Sequence, residues 1–259
     1  MSGISRAPFF EYTIVTGTVA ACVADIAATL TTAVAPRWLA CLNPHSFVVA
    51  ESDPGFRRAL ADADWLVPDG AGVVLAARFL GYPAKGRITG SDIFCGLHDC
   101  LNRQGGASVF FLGSSEEILA DIRQQMQADY PDLRVAGSWS PPFKAEFSRE
   151  ENAAMVAAIN AVQPDLLWVG LTAPKQEKWI CDNKQLLKVK FIGAIGAVFD
   201  FYSGNVKRSH PHFQKLGLEW LPRLLQEPRR LWRRMFISAP IFLCHVLRAK
   251  VKGQDERPR

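Results

Sequence analysis

Short apolar runs alternate along the chain with longer stretches in which apolar residues return every three or four positions. Runs of the first kind are RWLACLN (37–43), WLVP (65–68), ASVFFLG (107–113), LRVAGS (133–138), DLLWVGL (165–171) and VKFIGAIG (189–196). Their length and richness in branched and aromatic residues predict buried strands. The helical period predicts helices over about 45–62, 71–80, 91–104, 115–129, 148–161 and 174–186. Strands that take turns with helices build βα units, so the predicted class is α/β, a parallel sheet flanked by helices. Several of the strands run into Gly, Asn or Asp just before a helix begins. Ligands of open parallel sheets bind at those carboxyl ends, where helix N-termini can hold phosphate. Asn43, Asp69, Gly113, Thr172 and the segment after Gly196 therefore stand where chemistry is expected.

The pattern changes beyond Gly204. GLEWLPRLLQEPRRLWRRMF (217–236) reads as helix with breaks at Pro222 and Pro228, each tolerated near a helix start. Arg229 and Arg233 share one face, Arg230 and Arg234 another, with Leu231, Trp232, Met235 and Phe236 between them. Charge sharpens the division. From Ser203 to Arg259 there are 13 Lys or Arg against 4 Asp or Glu, a net of +9, whereas the first 202 residues carry a net of −4. The chain thus divides into a near-neutral body, 1–202, and a basic α-helical appendage, 203–259. Two readings of the appendage stand side by side: an amphipathic segment lying in an anionic membrane interface, or a helix pair packed on the body with its arginines in water. The apolar stretch 235–247 suits self-association as well, which leaves a homo-oligomer open. No uncharged apolar run reaches the roughly 18 residues that a bilayer requires. With 49% apolar and 21% charged residues, the body can bury a large core. Six scattered cysteines without zinc spacing and an N-terminus without a signal-like apolar segment predict a cytoplasmic protein. Large apolar residues between the basic ones, and no base-stacking motif, argue against nucleic acid as the partner of the basic tail.

Candidate chemistry concentrates in ADADWLVPDGAG (61–72). Asp62 and Asp64 have the Asp-x-Asp spacing of metal-binding sugar-nucleotide enzymes, but they precede the strand instead of following it, and no metal or other cofactor is expected. Asp69 sits at the exit of WLVP, immediately before Gly70, as either a helix cap or a catalytic base. In GLTAPKQEKWI (170–180) Thr172 is expected to cap a helix that starts at Pro174, with Lys175 and Gln176 in its first turn, as ligand contacts or as plain decoration. KGRITGSDIF (85–94) places Arg87 before a third helix start. His45, two residues after Asn43, is either a base or structural.

Six segments, LNPHSFVVA, PDGAGVV, GRITGSDIF, VFFLGSSEE, WVGLTAPKQEKWI and IGAVFDFYSGNVKRSHPHFQKLGLEWLPRLLQEP, occur in the order and spacing of the WecG/TagA/CpsF proteins, glycosyltransferase family 26, and the chain resembles that family from about residue 10 to 240. The resemblance implies a Rossmann-like domain with a C-terminal appendage that helps close the site and docks on the membrane. It implies transfer of a hexose from a UDP-sugar to a polyprenyl-diphosphate-linked sugar, at the inner face of the bacterial cell membrane, during exopolysaccharide or cell-surface glycan synthesis. By motif, Asp69 would be the general base of an inverting transfer and Asn43 a contact to the donor sugar, as would Gln176 beside Lys175. Arg87 would meet phosphate charge, with Gly90 and Asp92 in the same pocket. Gly70 and Gly113 line the site, Asp200 lies near the nucleotide, and Arg223 and Arg230 reach a diphosphate in place of a metal. The sequence departs from the teichoic-acid members at Cys41, where they carry Thr, and at His45, where they carry Glu. A thiol replaces the hydrogen bonds of a threonine hydroxyl poorly, so the donor stays open between glucose, N-acetylmannosamine and its uronic acid.

Overall fold

A computed structural model describes residues 4–205 and 232–255. An eight-stranded sheet runs through the molecule in the order β1-β2-β4-β3-β8-β7-β5-β6, parallel throughout except for the edge strand β1. Its strands are β1 (Arg6–Phe9), β2 (Tyr12–Val15), β3 (Arg37–Leu42), β4 (Trp65–Pro68), β5 (Ser108–Gly113), β6 (Arg134–Trp139), β7 (Leu166–Gly170) and β8 (Phe191–Ala194). Successive residues of a strand point to opposite faces. Trp38, Leu66, Phe110 and Leu167 accordingly enter one core, and Leu39, Val67, Phe111 and Trp168 the other.

The first core is covered by α2 (Pro44–Ser52), α3 (Pro54–Asp62), α4 (Ala71–Leu80), α7 (Arg149–Val162) and α8 (Lys175–Asn183). The second is covered by α1 (Val19–Thr32), α5 (Gly90–Gln104), α6 (Glu116–Asp129) and α9 (Val198–Tyr202). All six expected strands are present, and β4 and α4 have the expected limits. The helix expected over 45–62 is two helices. Pro54 has no N–H to continue the ladder and disfavours helical geometry at Asp53, which instead caps α3 by accepting from the Phe56 N–H at 2.9 Å. The hairpin β1–β2 and helix α1 occupy a segment to which the sequence pattern assigned nothing.

A π-helical turn, Arg233–Ser238, leads into α10 (Ala239–Asp255), which packs on α2 and α4. Phe242 and Val246 are 5% and 3% exposed and join the first core. The Phe242 ring meets Phe47 edge-on at 5.3 Å. Polar ties flank that seam: His245 Nε2 lies 2.9 Å from Glu51 Oε1, and Lys250 Nζ donates to the Phe79 carbonyl at 2.7 Å. Arg223 and Arg230 lie outside the described residues. Among the described residues no helix is long and apolar enough to cross a membrane.

His98 on α5 is wholly buried against Phe94, Tyr130 and Trp168. Its Nε2 accepts from Trp168 Nε1 at 2.8 Å, which leaves the proton on Nδ1 of a neutral ring. Burial pushes its pKa down to about 3. The folded state therefore excludes a proton that the unfolded chain takes up below pH ~6.5, so stability is lost as pH falls from there towards 3. We expect His98 alone to add up to about 1.4 kcal/mol per pH unit to that acid slope. Urea titrations at pH 7, 6 and 5 should show a shallower slope in H98L, which loses stability at pH 7 because Trp168 is left without its acceptor.

Candidate active site

The loops after β3 and β4 meet at the carboxyl edge of the sheet. Asp69 begins the turn into α4, and its backbone N–H donates to the Leu42 carbonyl at 2.8 Å. Gly70 follows with φ +101°, a conformation that a side chain would strain. Gly72 lies against the ring of Pro44, so the first turns of α4 and α2 touch and hold Asp69 beside Asn43. The segment before α5 closes the third side, the Ile88 N–H donating to the Pro68 carbonyl at 3.0 Å. Half-buried Arg87 is thereby brought alongside the Asp69 turn.

Several expected contacts carry structural duties here. Asn43 caps α2, its Oδ1 accepting from the N–H groups of His45 and Ser46, both at 3.0 Å. Only the Nδ2 end remains for a ligand, as a donor. Asp92 closes a capping box with Thr89, its Oδ2 accepting the Thr89 N–H at 3.0 Å. Gly90 opens α5. Burial, and then the charges of Asp69 and Glu177, hold the Cys41 thiol well above its usual pKa, so it stays protonated. Asp62 and Asp64 lie at the opposite edge of the sheet. Asp64 accepts from Arg37 and from the Trp38 N–H, each at 2.9 Å, and Asp62 accepts from the Trp38 indole and pairs with Lys184.

Thr172 does not cap α8 with its side chain. It has φ +68°, Pro174 occupies the cap position, and only the Thr172 carbonyl accepts, from the Gln176 N–H. The first turn of α8 then separates its side chains. Lys175 turns to the β6–α7 loop, where Nζ donates to the Lys144 carbonyl at 2.8 Å and lies 4.7 Å from the Phe147 ring. Gln176 and Glu177 turn under the sheet edge and are buried.

A cavity of about 550 Å³ opens beside them at the ends of β5, β7 and β8. Ser115 at the start of α6, Thr172 and Lys175 of the α8 loop, and Asp200 of α9 line it, with Phe143 and Pro142 from the β6–α7 loop. At Gly113 the chain turns away with φ +117°, where a β-carbon would overlap the Gly170 carbonyl. Asp69, Asn43 and Cys41 thus stand at β4 and β3, Gly196 and Gln176 at the middle, and the cavity over β7 and β5, along one continuous edge.

Sequence reasoning missed three contributors. Glu177 is the neighbour of an expected contact, and its only signal was an acid in a helix first turn. Ser114, Ser115 and the 140–147 loop come from the far half of the sheet. The third is the π-helical turn: Ser238 Oγ lies 2.8 Å from His45 Nδ1. Burial first, and then the charges of Arg234 and Arg233, push the His45 pKa down to about 4. His45 is therefore neutral near pH 7 and ties the base of α10 to the Asn43 loop, with two arginines at the cleft margin.

The chain matches the profile of the glycosyl transferase WecG/TagA/CpsF family over residues 7–256. It is similar to the N-acetylglucosaminyldiphosphoundecaprenol N-acetyl-beta-D-mannosaminyltransferase of Bacillus spizizenii (strain ATCC 23059 / NRRL B-14472 / W23), with 35% identity over 80% of this chain and 77% of the relative. An enzyme of the same name from Bacillus subtilis (strain 168) is 29% identical over 85% and 83% of the two chains.

Proposed function

Because the chain belongs to the WecG/TagA/CpsF family and is a glycosyltransferase, we propose that it moves a hexose from a UDP-sugar to a polyprenyl-diphosphate-linked sugar, with inversion at the anomeric carbon. The observation that carries this reading is the placement of Asp69, Asn43 and Gln176 along one edge with the cavity. The nucleotide occupies the cavity, near Asp200 and Ser115 at the start of α6. The sugar then reaches towards Gln176 and Asn43. Asp69 takes the proton of the acceptor hydroxyl as its oxygen attacks from the face opposite the leaving UDP. Guanidinium groups of Arg87 and of Arg233, together with Arg223 and Arg230 from the appendage, offset the charge that develops on the diphosphate.

The names of both relatives give an N-acetylglucosaminyl group on diphosphoundecaprenol as the acceptor. For this chain, the 203–259 appendage is read as what brings the site to such a lipid at the inner membrane face. Leu243, Leu247 and Val251 of α10 form an exposed apolar stripe, flanked by Arg248 and Lys252.

The test is a donor screen with an N-acetylglucosaminyl-diphospholipid acceptor, reading UDP release with and without chelator. One UDP-sugar of the glucose, N-acetylmannosamine and N-acetylmannosaminuronate set is expected to turn over, undiminished by chelator. Chelator-sensitive turnover restored by Mg²⁺ would put a metal on the diphosphate in place of the arginines. Failure of every UDP-sugar to bind would overturn the reading.

A further inference from the structure

Two polar side chains lie buried side by side in the first turn of α8, and each is one hydrogen bond short. Gln176 is 4% and Glu177 1% exposed. Gln176 Nε2 donates to Glu177 Oε1 at 2.9 Å. Gln176 Oε1 and Glu177 Oε2 have no partner among the described residues. Buried polar atoms without partners cost stability and are few in folded proteins. Two of them at the reaction cleft point to a use there.

The pair sits at the centre of the edge described above. A β-carbon on Gly196 would lie 3.6 Å from both Nε2 and Oε1, so the Gln176 carboxamide covers the backbone of the loop after β8. Glu177 and Asp69 both act on the Cys41 thiol at the end of β3. A carboxamide has two ends of nearly equal size and opposite hydrogen-bonding character, so an isolated glutamine could turn either end to a ligand. Glu177 removes that freedom, because an accepting oxygen is faced only by the nitrogen.

We propose that Glu177 is a positioning residue for sugar transfer: it holds the Gln176 carboxamide with the nitrogen turned inward, so that Oε1 accepts from a hydroxyl or N–H of the donor sugar. The proposal rests on the reading of Gln176 as a donor-sugar contact. Asn43 is committed the other way, its oxygen spent on the α2 cap and its Nδ2 left to donate. One acceptor and one donor, both fixed, match a pair of sugar hydroxyls. Burial pushes the Glu177 carboxyl up to about 7. Even when protonated on Oε2, it keeps Oε1 as the acceptor for Gln176.

The test uses E177Q, nearly isosteric, whose own amide can face Gln176 with either end. We expect its KM for the UDP-sugar to rise about three- to tenfold. Selectivity for the parent donor over its singly deoxygenated analogues, assayed one position at a time, should drop about tenfold at the contacted position. Inhibition by UDP, which lacks the sugar, should stay within about twofold, and the melting temperature should hold or rise. E177M, which offers Gln176 no acceptor at all, should show the same split with a larger KM effect. A merely structural role would move the melting temperature and leave deoxy-sugar selectivity alone. Wild-type selectivity in E177M overturns the proposal while UDP inhibition persists. A wild-type protein that UDP does not inhibit overturns the transferase reading of the site, and the proposal with it.

Discussion

Asp69→Asn is expected to cut sugar transfer by about 10²- to 10⁴-fold, the range that a positioned general base supplies, and to leave UDP affinity within about twofold. The asymmetry follows from where the residue sits. The cavity assigned to the nucleotide lies over β5, β7 and β8, whereas Asp69 closes β4, with β3 between β4 and those strands. Asparagine has nearly the same volume and cannot take a proton near neutral pH. The tie that shapes the turn, from the residue 69 N–H to the Leu42 carbonyl, is backbone and survives the change. Gly70 keeps its φ of +101°, so the start of α4 keeps its place. The measurements are single-turnover transfer to the lipid acceptor and UDP titration by calorimetry. Helix α4 is capped at Gly70 with no side-chain bond, so Asp69 is not the helix cap that the sequence also allowed. Lost UDP binding would mean that the Asp69 side chain shapes the site instead of reacting in it, and transfer near the wild-type rate would remove it from the chemistry.

Legibility in the sequence followed local punctuation. WLVP and the helix after it were readable to the residue because Pro68, Asp69–Gly70 and Gly81 bound them. Helix α1, VAACVADIAATLTT, is apolar or small nearly all round. Its buried Cys22, Val23, Ile26 and Leu30 therefore do not stand out against a polar face. The break at Asp53–Pro54 was written in the sequence but lay inside a longer apolar period. At the site, residues on strand ends were legible because topology alone places them. What could not be read was which way a side chain turns in the first turn of a helix. Lys175, Gln176 and Glu177 are consecutive, yet the first leaves for the 140–147 loop and the other two go under the sheet edge. Competing duties were equally hidden. Asp92 and Asn43 have the composition of ligand contacts, and both spend oxygens on caps that the same sequence also specifies.

Placing glutamates on the outer face of α10, as L243E/L247E/V251E, is expected to lower partitioning onto anionic vesicles by about 10²- to 10⁴-fold. An apolar side chain that enters the interface contributes about 1 kcal/mol or more, and an acid near an anionic surface reverses an attraction of about 1 kcal/mol per charge. The three positions are spaced four apart on one stripe and are 56%, 48% and 59% exposed, so the folded protein can accept charge there. The opposite face of α10 tells a different story. Phe242 sits on Phe47 and Phe9, and F242A is expected to cost about 3 kcal/mol of stability without touching the stripe. Trimming the chain after Tyr202 removes both faces at once. It uncovers Phe47 and releases His45 from Ser238, so loss of membrane binding by that truncation would not separate docking from damage to the body. The charged triple variant does separate them: flotation with anionic vesicles should fail, while melting temperature and UDP binding hold. Transfer to a detergent-dispersed acceptor should persist, because no residue placed at the cleft is altered. Unchanged flotation of the triple variant would move the docking surface off α10 and leave the helix with the one role that its buried face supports, closing the first core beside the Asn43 loop.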